Sequence, residues 1–325
     1  MMRKRQEEFQ KIYHALGDDI SRKIYKHRLL YALLGDKQEI TDMVYEYSPA
    51  CVQLKDSKVC YYGAGGGAGW LMKYDTKAPF VIDKYRTGYI EGKPIISLDT
   101  FLQMPDHREY LLIVTVGKKE IREEIARELD AHGLRYLFGY FDLQYFDLQN
   151  EFFADVGALD GETTKCFMRH CSGNGHAYVF EPNPAQFEIT RQNLKEYSNV
   201  ELFPYGLYDE NTTLRFDSCD YDAGSAKVSE TGELIIEVRR LDDLLGDKPV
   251  TFIKMDIEGS ELAALRGAER IIREQKPKLA ICVYHKPEDM WEIPGLILEY
   301  CPDYRLYLRH YSITQTETVL YAIPK

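Results

Sequence analysis

The chain of 325 residues contains no apolar stretch approaching the ~18 residues that a bilayer span needs, and its start, MMRKRQEEFQ, lacks the apolar core of a secretory signal. No membrane span is expected, and the cytoplasm is the expected compartment. Basic charge is scarce: 41 Lys and Arg stand against 52 Asp and Glu, a net charge of −11, with no basic cluster beyond Arg3 to Arg5 and Arg239 with Arg240. Such a surface repels a phosphate backbone, so nucleic acid is not an expected partner. The seven cysteines form no CxxC pair and are odd in number, which points neither to a disulfide framework nor to a zinc knuckle. They read as buried small hydrophobes. Apart from the short run GAGGGAG at 63–69, no Pro, Gly or Ser tract interrupts a composition of 45% hydrophobic and 29% charged residues, so the chain is a folded one with room for two domains of about 150 residues. Tyrosine is abundant, and the cluster Tyr300, Tyr304, Tyr307 and Tyr311 reads as amphipathic packing near the C-terminus.

Residues 1–57 carry apolar side chains at three- and four-residue steps, through Phe9, Ile12, Tyr13 and Leu16 and again through Ile24, Leu29, Leu30 and Leu33. This spacing predicts a helical N-terminal arm. From Lys58 short apolar runs (VCYYG, PFVID, LLIVTVG) alternate with helix-length segments and predict a small Rossmann-like α/β domain over 58–149, with roughly four strands. The near-duplicate FDLQYFDLQ reads as the connection to a second domain at 150–325. There seven strand candidates alternate with helices, which predicts an α/β doubly wound sheet; the link between the last two strands is too short for a crossover helix and makes them antiparallel neighbours. Residues 209–240 break the rhythm with TTLRFD and ELIIEVRR around SCDYDAGSAKVSETG, and predict a hairpin acting as a lid over the carboxyl edge of the sheet.

Three motifs carry chemistry. In FFADVGALDGETT a strand runs through Asp155 into Gly157, Asp160 and Gly161, and a helix opens with Glu162, Thr163 and Thr164. Glycines let the backbone approach a ligand closely, and the helix presents free amides to an anionic group. With Asp155 available to an ammonium, the pair suits an α-amino acid moiety better than a pyrophosphate. Glu181, in FEPNP, stands 24 residues after Gly157, one βαβ unit away, where a carboxylate accepts hydrogen bonds from ribose hydroxyls. In KMDIEGSE the period of two puts Lys254, Asp256 and Glu258 on one side of a strand; three such groups must pair with one another or bind something.

With the tail segments YHKPEDMWEIPGLI, YRLYLRHYS and ETVLYAIP, these motifs make residues 150–325 resemble the FkbM-type S-adenosylmethionine-dependent methyltransferases. That resemblance implies a class I methyltransferase sheet, S-adenosylmethionine as cofactor, and a hydroxyl on a saccharide, glycan precursor or related metabolite as acceptor. It assigns Asp155, Gly157, Asp160, Gly161 and Thr163 to the methionyl part, Glu181 and Asn183 to the ribose and its surroundings, and Gly206 and Leu207 to the adenine. Leu159 with Asp160 departs from the Asn-Ile pair more usual in such loops.

A sulfonium methyl is already electrophilic, so the protein must align an oxygen with it and remove a proton. Asp256 and His285 are the candidate bases, His285 because an unperturbed imidazole titrates near neutrality. Glu258, Trp291, Arg309, His310 and Tyr311 are acceptor-pocket candidates by position. Asp256, His285 and His310 offer the types of a divalent-metal set, but nothing in their spacing demands a metal, and none is expected. In the first domain Gly63, Gly65 and Ala68, followed by Asp83, have dinucleotide-fingerprint order. Nucleotide or nucleotide-sugar binding, or a docking role, is expected there. The rivals are an NAD-dependent nucleotide-sugar oxidoreductase or epimerase, against which the lack of a Tyr-x-x-x-Lys catalytic pair in the expected context weighs, and a noncatalytic S-adenosylmethionine-binding protein. Motif spacing leaves homo-oligomerisation open.

Overall fold

The computed structural model describes residues 2–48, 58–64, 78–116, 119–137, 150–171, 175–217, 227–228, 232–312 and 315–325. Helices α1 (Met2–Ala15), α2 (Asp19–Leu34) and α3 (Lys37–Tyr47) come first, as the apolar spacing predicts. Asp18 caps α2 by accepting the Ser21 amide at 2.7 Å, and Gly35, at φ 70°, ends it by donating to the Tyr31 carbonyl.

The chain divides into two units: Met1–Asp36 with Phe141–Arg309 and Glu317–Lys325, and Lys37–Tyr140 with His310–Thr316. This differs from the separate arm expected over 1–57. Ile12 and Leu16 are buried, the Leu308 amide donates to Ser21 Oγ at 3.0 Å, and Arg309 pairs with Asp18 at 2.7 Å. These contacts make α1 and α2 part of the larger unit. Residues 49–57 lie outside the described residues.

In the smaller unit lie β1 (Lys58–Tyr62), β2 (Val81–Ile82), β3 (Gly88–Ile90), β4 (Lys93–Ile96), α4 (Leu98–Leu102), β5 (Tyr110–Val114), α5 (Lys119–Ala131) and β6 (Arg135–Leu137). Six strands therefore form where about four are expected, in the order β3-β4-β2-β1-β5-β6. The two extra ones come from the β3–β4 hairpin, whose short strands pair antiparallel and carry little apolar signal.

The larger unit continues with β7 (Phe152–Val156), α6 (Glu162–His170), β8 (His176–Phe180), α7 (Pro184–Leu194), β9 (Val200–Phe203), β10 (Gly206–Leu207), β11 (Thr212–Asp217), β12 (Lys227–Val228), β13 (Leu234–Arg239) and α8 (Leu241–Leu245). It ends with β14 (Phe252–Met255), α9 (Glu261–Arg266), α10 (Glu269–Gln275), β15 (Lys278–Cys282), α11 (Asp289–Tyr300), β16 (Arg305–His310) and β17 (Thr318–Ile323). Seven strands make one sheet in the order β16-β17-β15-β14-β7-β8-β9, parallel from β15 to β9, with β17 antiparallel to β15. The central strands are buried on both faces, which is why they read as unbroken apolar runs. Phe153 stacks on Phe167 of α6 at 4.2 Å and on Phe252 of the neighbouring strand at 5.1 Å. Strand order reverses between β7 and β14, and a crevice opens beyond their carboxyl ends.

The predicted hairpin is present as β11 against β13, with β10 and β12 completing a four-stranded sheet. The polar connection at 218–226 and 229–231 lies outside the described residues.

Candidate functional site

A cavity of about 1010 Å³, including its open mouth, lies at the carboxyl ends of β7, β8 and β14. Its floor is the turn after β7. Gly157, at φ 78°, permits that turn: a Cβ there would sit 2.1 Å from the Asp256 carbonyl oxygen. Leu159, also at positive φ (55°), donates its amide to Glu181 Oε2 at 3.0 Å, and the Asn183 amide donates to Oε1 at 2.9 Å. Glu181 is thus held at the end of β8 against the glycine turn. Burial pushes its carboxyl up to about 7, and its backbone hydrogen bonds offset only part of that rise. Leu207, Leu214, Phe216, Ile236 and Val238 give the cavity an apolar wall, four of them from β11 and β13.

The predicted cofactor residues Gly157, Asp160, Thr163, Glu181, Asn183, Gly206 and Leu207 all line this cavity. Asp155 and Gly161 do not. Asp155 is fully buried, accepts the Thr164 hydroxyl at 2.6 Å and pairs with Lys254 at 3.3 Å. It ties α6 and β14 to β7, so the expected contact with an ammonium gives way to an internal ion pair. Gly161 sits against Leu194 and serves the turn at φ 80°. Burial pulls the Lys254 ammonium down, but Asp155 and Asp256 outweigh it and hold it above its ordinary value.

Asp256 and Glu258, which follow β14, also line the cavity. Glu258 has φ 55° and Gly259 φ 94°, a left-handed pair that bends the chain after β14. His285, just beyond β15, places Nε2 3.5 Å from Asp256 Oδ1 and 3.5 Å from Glu258 Oε2. Its Nδ1 lies 3.0 Å from Glu261 Oε1, off the line of a straight hydrogen bond. Burial alone would lower the imidazole, but the adjoining Glu261 carboxylate and the charges of Asp256 and Glu258 raise it to about 9. With no cation bound, the surrounding carboxylates favour the protonated ring, which weighs against the expected role as a proton acceptor. The unperturbed value fails because three carboxylates surround the ring.

Tyr284 donates to Asp256 Oδ1 at 3.2 Å and to Glu317 Oε1 at 3.4 Å. Burial and the charge of Asp256 push Glu317 up to about 7. Sequence reasoning missed Glu261, Tyr284 and Glu317. Only Glu261, at the end of KMDIEGSE, carried a local signal.

The other acceptor candidates are placed elsewhere. Trp291 faces α1, its ring 5.9 Å from that of Phe9, and Arg309 pairs with Asp18. Both are consumed by the packing of the first two helices. His310 and Tyr311 are buried and group with the smaller unit. Also in that unit, both oxygens of Asp83 are engaged by backbone amides: Ala64 at 2.6 Å, and Tyr85 and Arg86 at 2.8 Å. These bonds, against the cost of partial burial, hold its carboxyl below the usual range. Asp83 closes its own loop, and Gly63, at φ 110°, fits a Cβ-free space beside Val116. Gly65 lies outside the described residues.

Residues 155–312 match the family described as the methyltransferase FkbM domain. This chain carries an FkbM-type methyltransferase domain. The cofactor that such domains use is S-adenosylmethionine. The hexuronic acid methyltransferase AglP of Haloferax volcanii is 30% identical over 150 residues, covering 45% of this chain and 60% of that protein. The 2-O-methyltransferase NoeI of Sinorhizobium fredii is 24% identical over 144 residues, covering 38% of this chain and 59% of that protein. The chain thus spans less than two-thirds of the length of these relatives. The crystal structure of methyltransferase FkbM from Methylobacillus flagellatus, 22% identical, covers 92% of this chain and 99% of that one with a TM-score of 0.50, a likeness of fold. Among the described residues, no helix is long and apolar enough to cross a membrane.

The residues present fit S-adenosylmethionine. Glu181 offers a buried acceptor to the ribose hydroxyls, and the apolar wall with Leu207 suits a base.

Proposed function

We propose that this protein is an S-adenosylmethionine-dependent O-methyltransferase acting on a sugar hydroxyl of a saccharide, glycan precursor or related metabolite. The observation that carries the reading is one cavity lined by Glu181 and the glycine turn together with the carboxylates Asp256 and Glu258. The printed activities of the two relatives, on a hexuronic acid and at a 2-O position, favour a sugar acceptor.

Bound S-adenosylmethionine supplies an electrophilic methyl on a sulfonium, and the chain's part is orientation, desolvation and one proton. Glu181 holds the ribose hydroxyls. The start of α6 carries the positive end of the helix dipole toward the turn, where the Glu162 amide donates to Asp160 Oδ1 at 3.1 Å. The acceptor oxygen forms the new O–C bond, the C–S bond breaks with its electron pair to sulfur, and Asp256 takes the hydroxyl proton. Asp256 suits this better than His285, because a carboxylate can accept a proton where the imidazolium cannot.

Calorimetric titration with S-adenosylhomocysteine, followed by a methyl-transfer screen over free uronic acids, glycosides and nucleotide sugars, tests the reading. Glu181→Ala should weaken S-adenosylhomocysteine by about 10- to 100-fold, the worth of one or two hydrogen bonds to a charged group. Binding without transfer to any hydroxylated acceptor would leave a cofactor-binding protein. No binding at all would sink the proposal.

A further inference from the structure

Asp256, Glu258 and His285 each offer one donor atom, and the three atoms lie within 4.8 Å of one another. Their spacing is the informative part. Nε2 stands 3.5 Å from each carboxylate oxygen, too far for a good hydrogen bond. Two donors bound at about 2.1 Å to one ion stand roughly 3.0–3.5 Å apart at octahedral to tetrahedral angles. The His285 side chain is only 8% exposed, and Nε2 has no hydrogen-bond partner among the described residues. A nine-tenths buried ring aimed unpaired at two carboxylates is what a shared cation would satisfy.

We propose that Asp256, Glu258 and His285 Nε2 bind one divalent cation of the Mn²⁺ and Mg²⁺ class, which seats the acceptor hydroxyl at the catalytic end of the cavity. Carboxylates favour these hard ions, and one imidazole is compatible with them. Three protein ligands leave positions open for two neighbouring sugar oxygens and water.

The surroundings hold the donors in place. Glu261 favours the proton on Nδ1 and leaves Nε2 for the ion, and its own Oε1 is fixed by the Ile257 amide at 2.8 Å. Tyr284 orients Asp256 Oδ1 from the other side. Glu258 reaches the cluster from a left-handed backbone, a conformation that a non-glycine residue keeps only when its surroundings enforce it.

The purpose of the ion rests on the methyltransferase reading; its binding does not. On the cation the hydroxyl loses its proton more readily. Bond changes are those already given: O–C forms, C–S breaks with its pair to sulfur, and the proton passes to the Asp256 oxygen not committed to the ion.

The test is titration of Mn²⁺ into the chelator-stripped full chain, with free Mn²⁺ read by electron paramagnetic resonance. One ion per chain should bind, and Glu258→Gln and His285→Asn should each weaken it at least about tenfold. S-adenosylhomocysteine, titrated with EDTA present, should bind all three proteins alike, which also reports that the variants fold. Absence of saturable Mn²⁺ binding, or equal affinity in folded variants, overturns the site. Failure of the wild type to bind S-adenosylhomocysteine would overturn the methyltransferase reading instead, because the Mn²⁺ signal needs no cofactor.

Discussion

A carboxyl raised to about 7 is an unusual choice for a group that must accept hydrogen bonds at neutral pH, and Glu181 owes that value to burial at the end of β8. Lys254 lowers it and Asp155 raises it, but both lie behind the turn and pair with each other. The sign follows directly. The unfolded chain ionises Glu181 at the ordinary 4.5, whereas the empty folded protein keeps the proton to about 7. Its contribution to stability is therefore present below the unfolded value and is lost as pH rises through about 7. On the proposed reading ribose hydroxyls donate to the ionised form, so cofactor binding should run the opposite way and release a proton. S-adenosylhomocysteine affinity should fall by up to about tenfold per pH unit below 7 in the wild type. Calorimetry between pH 5.5 and 8 checks this, and a wild-type slope no steeper than that of Glu181→Gln would remove Glu181 from the binding step. At this scale the sequence was a mixed guide. Glu181 was legible because a βαβ unit fixes its distance from Gly157. Asp155 was misread because a carboxylate at a strand end serves a ligand or an ion pair equally well, and only the neighbouring Lys254 decides between them.

Among the elements, the meeting of β7 and β14 controls the cavity floor. Gly157 lets the two strand ends run together, with the Asp256 carbonyl where a Cβ would be. Gly157→Ala must either swing the turn out or push β14 aside, and it also places a side chain at φ 78°. Strain and overpacking together should cost at least about 2 kcal/mol. That corresponds to a fall of about 5 °C or more in Tm, with S-adenosylhomocysteine binding lost in the same variant. A variant that melts and binds like the wild type would show that the turn is softer than its geometry implies. The large sheet was legible because strands buried on both faces write apolar runs into the sequence. The β11–β13 pair was legible as a hairpin over the carboxyl edge of the sheet, but which of its side chains line the cavity was not, since Phe216, Ile236 and Val238 form a small cluster of their own.

At the scale of the whole molecule, the two first helices group with the larger unit rather than standing apart from it. Their periodicity announced helices but carried no information about what covers them, because the partners lie almost three hundred residues away. Leu16 bridges to Leu306, Ser21 Oγ accepts the Leu308 amide, and Asp18 pairs with Arg309, so this segment covers the outer edge of β16. Phe9 covers Trp291 on α11, and Arg5 lies 6.0 Å above the same ring. Deletion of residues 1–36 would expose Trp291 and the apolar patch lined by Met290, Pro294, Leu308 and Leu320 beneath Ile12 and Leu16. Removing two such buried aliphatic side chains alone costs about 3–6 kcal/mol on transfer grounds. The truncated chain should therefore melt well below the full one and fluoresce from a wetter Trp291, with aggregation at micromolar concentration. A truncated chain of unchanged Tm and Trp291 emission would mean that α1 and α2 are an appendage, and that β16 needs no cover.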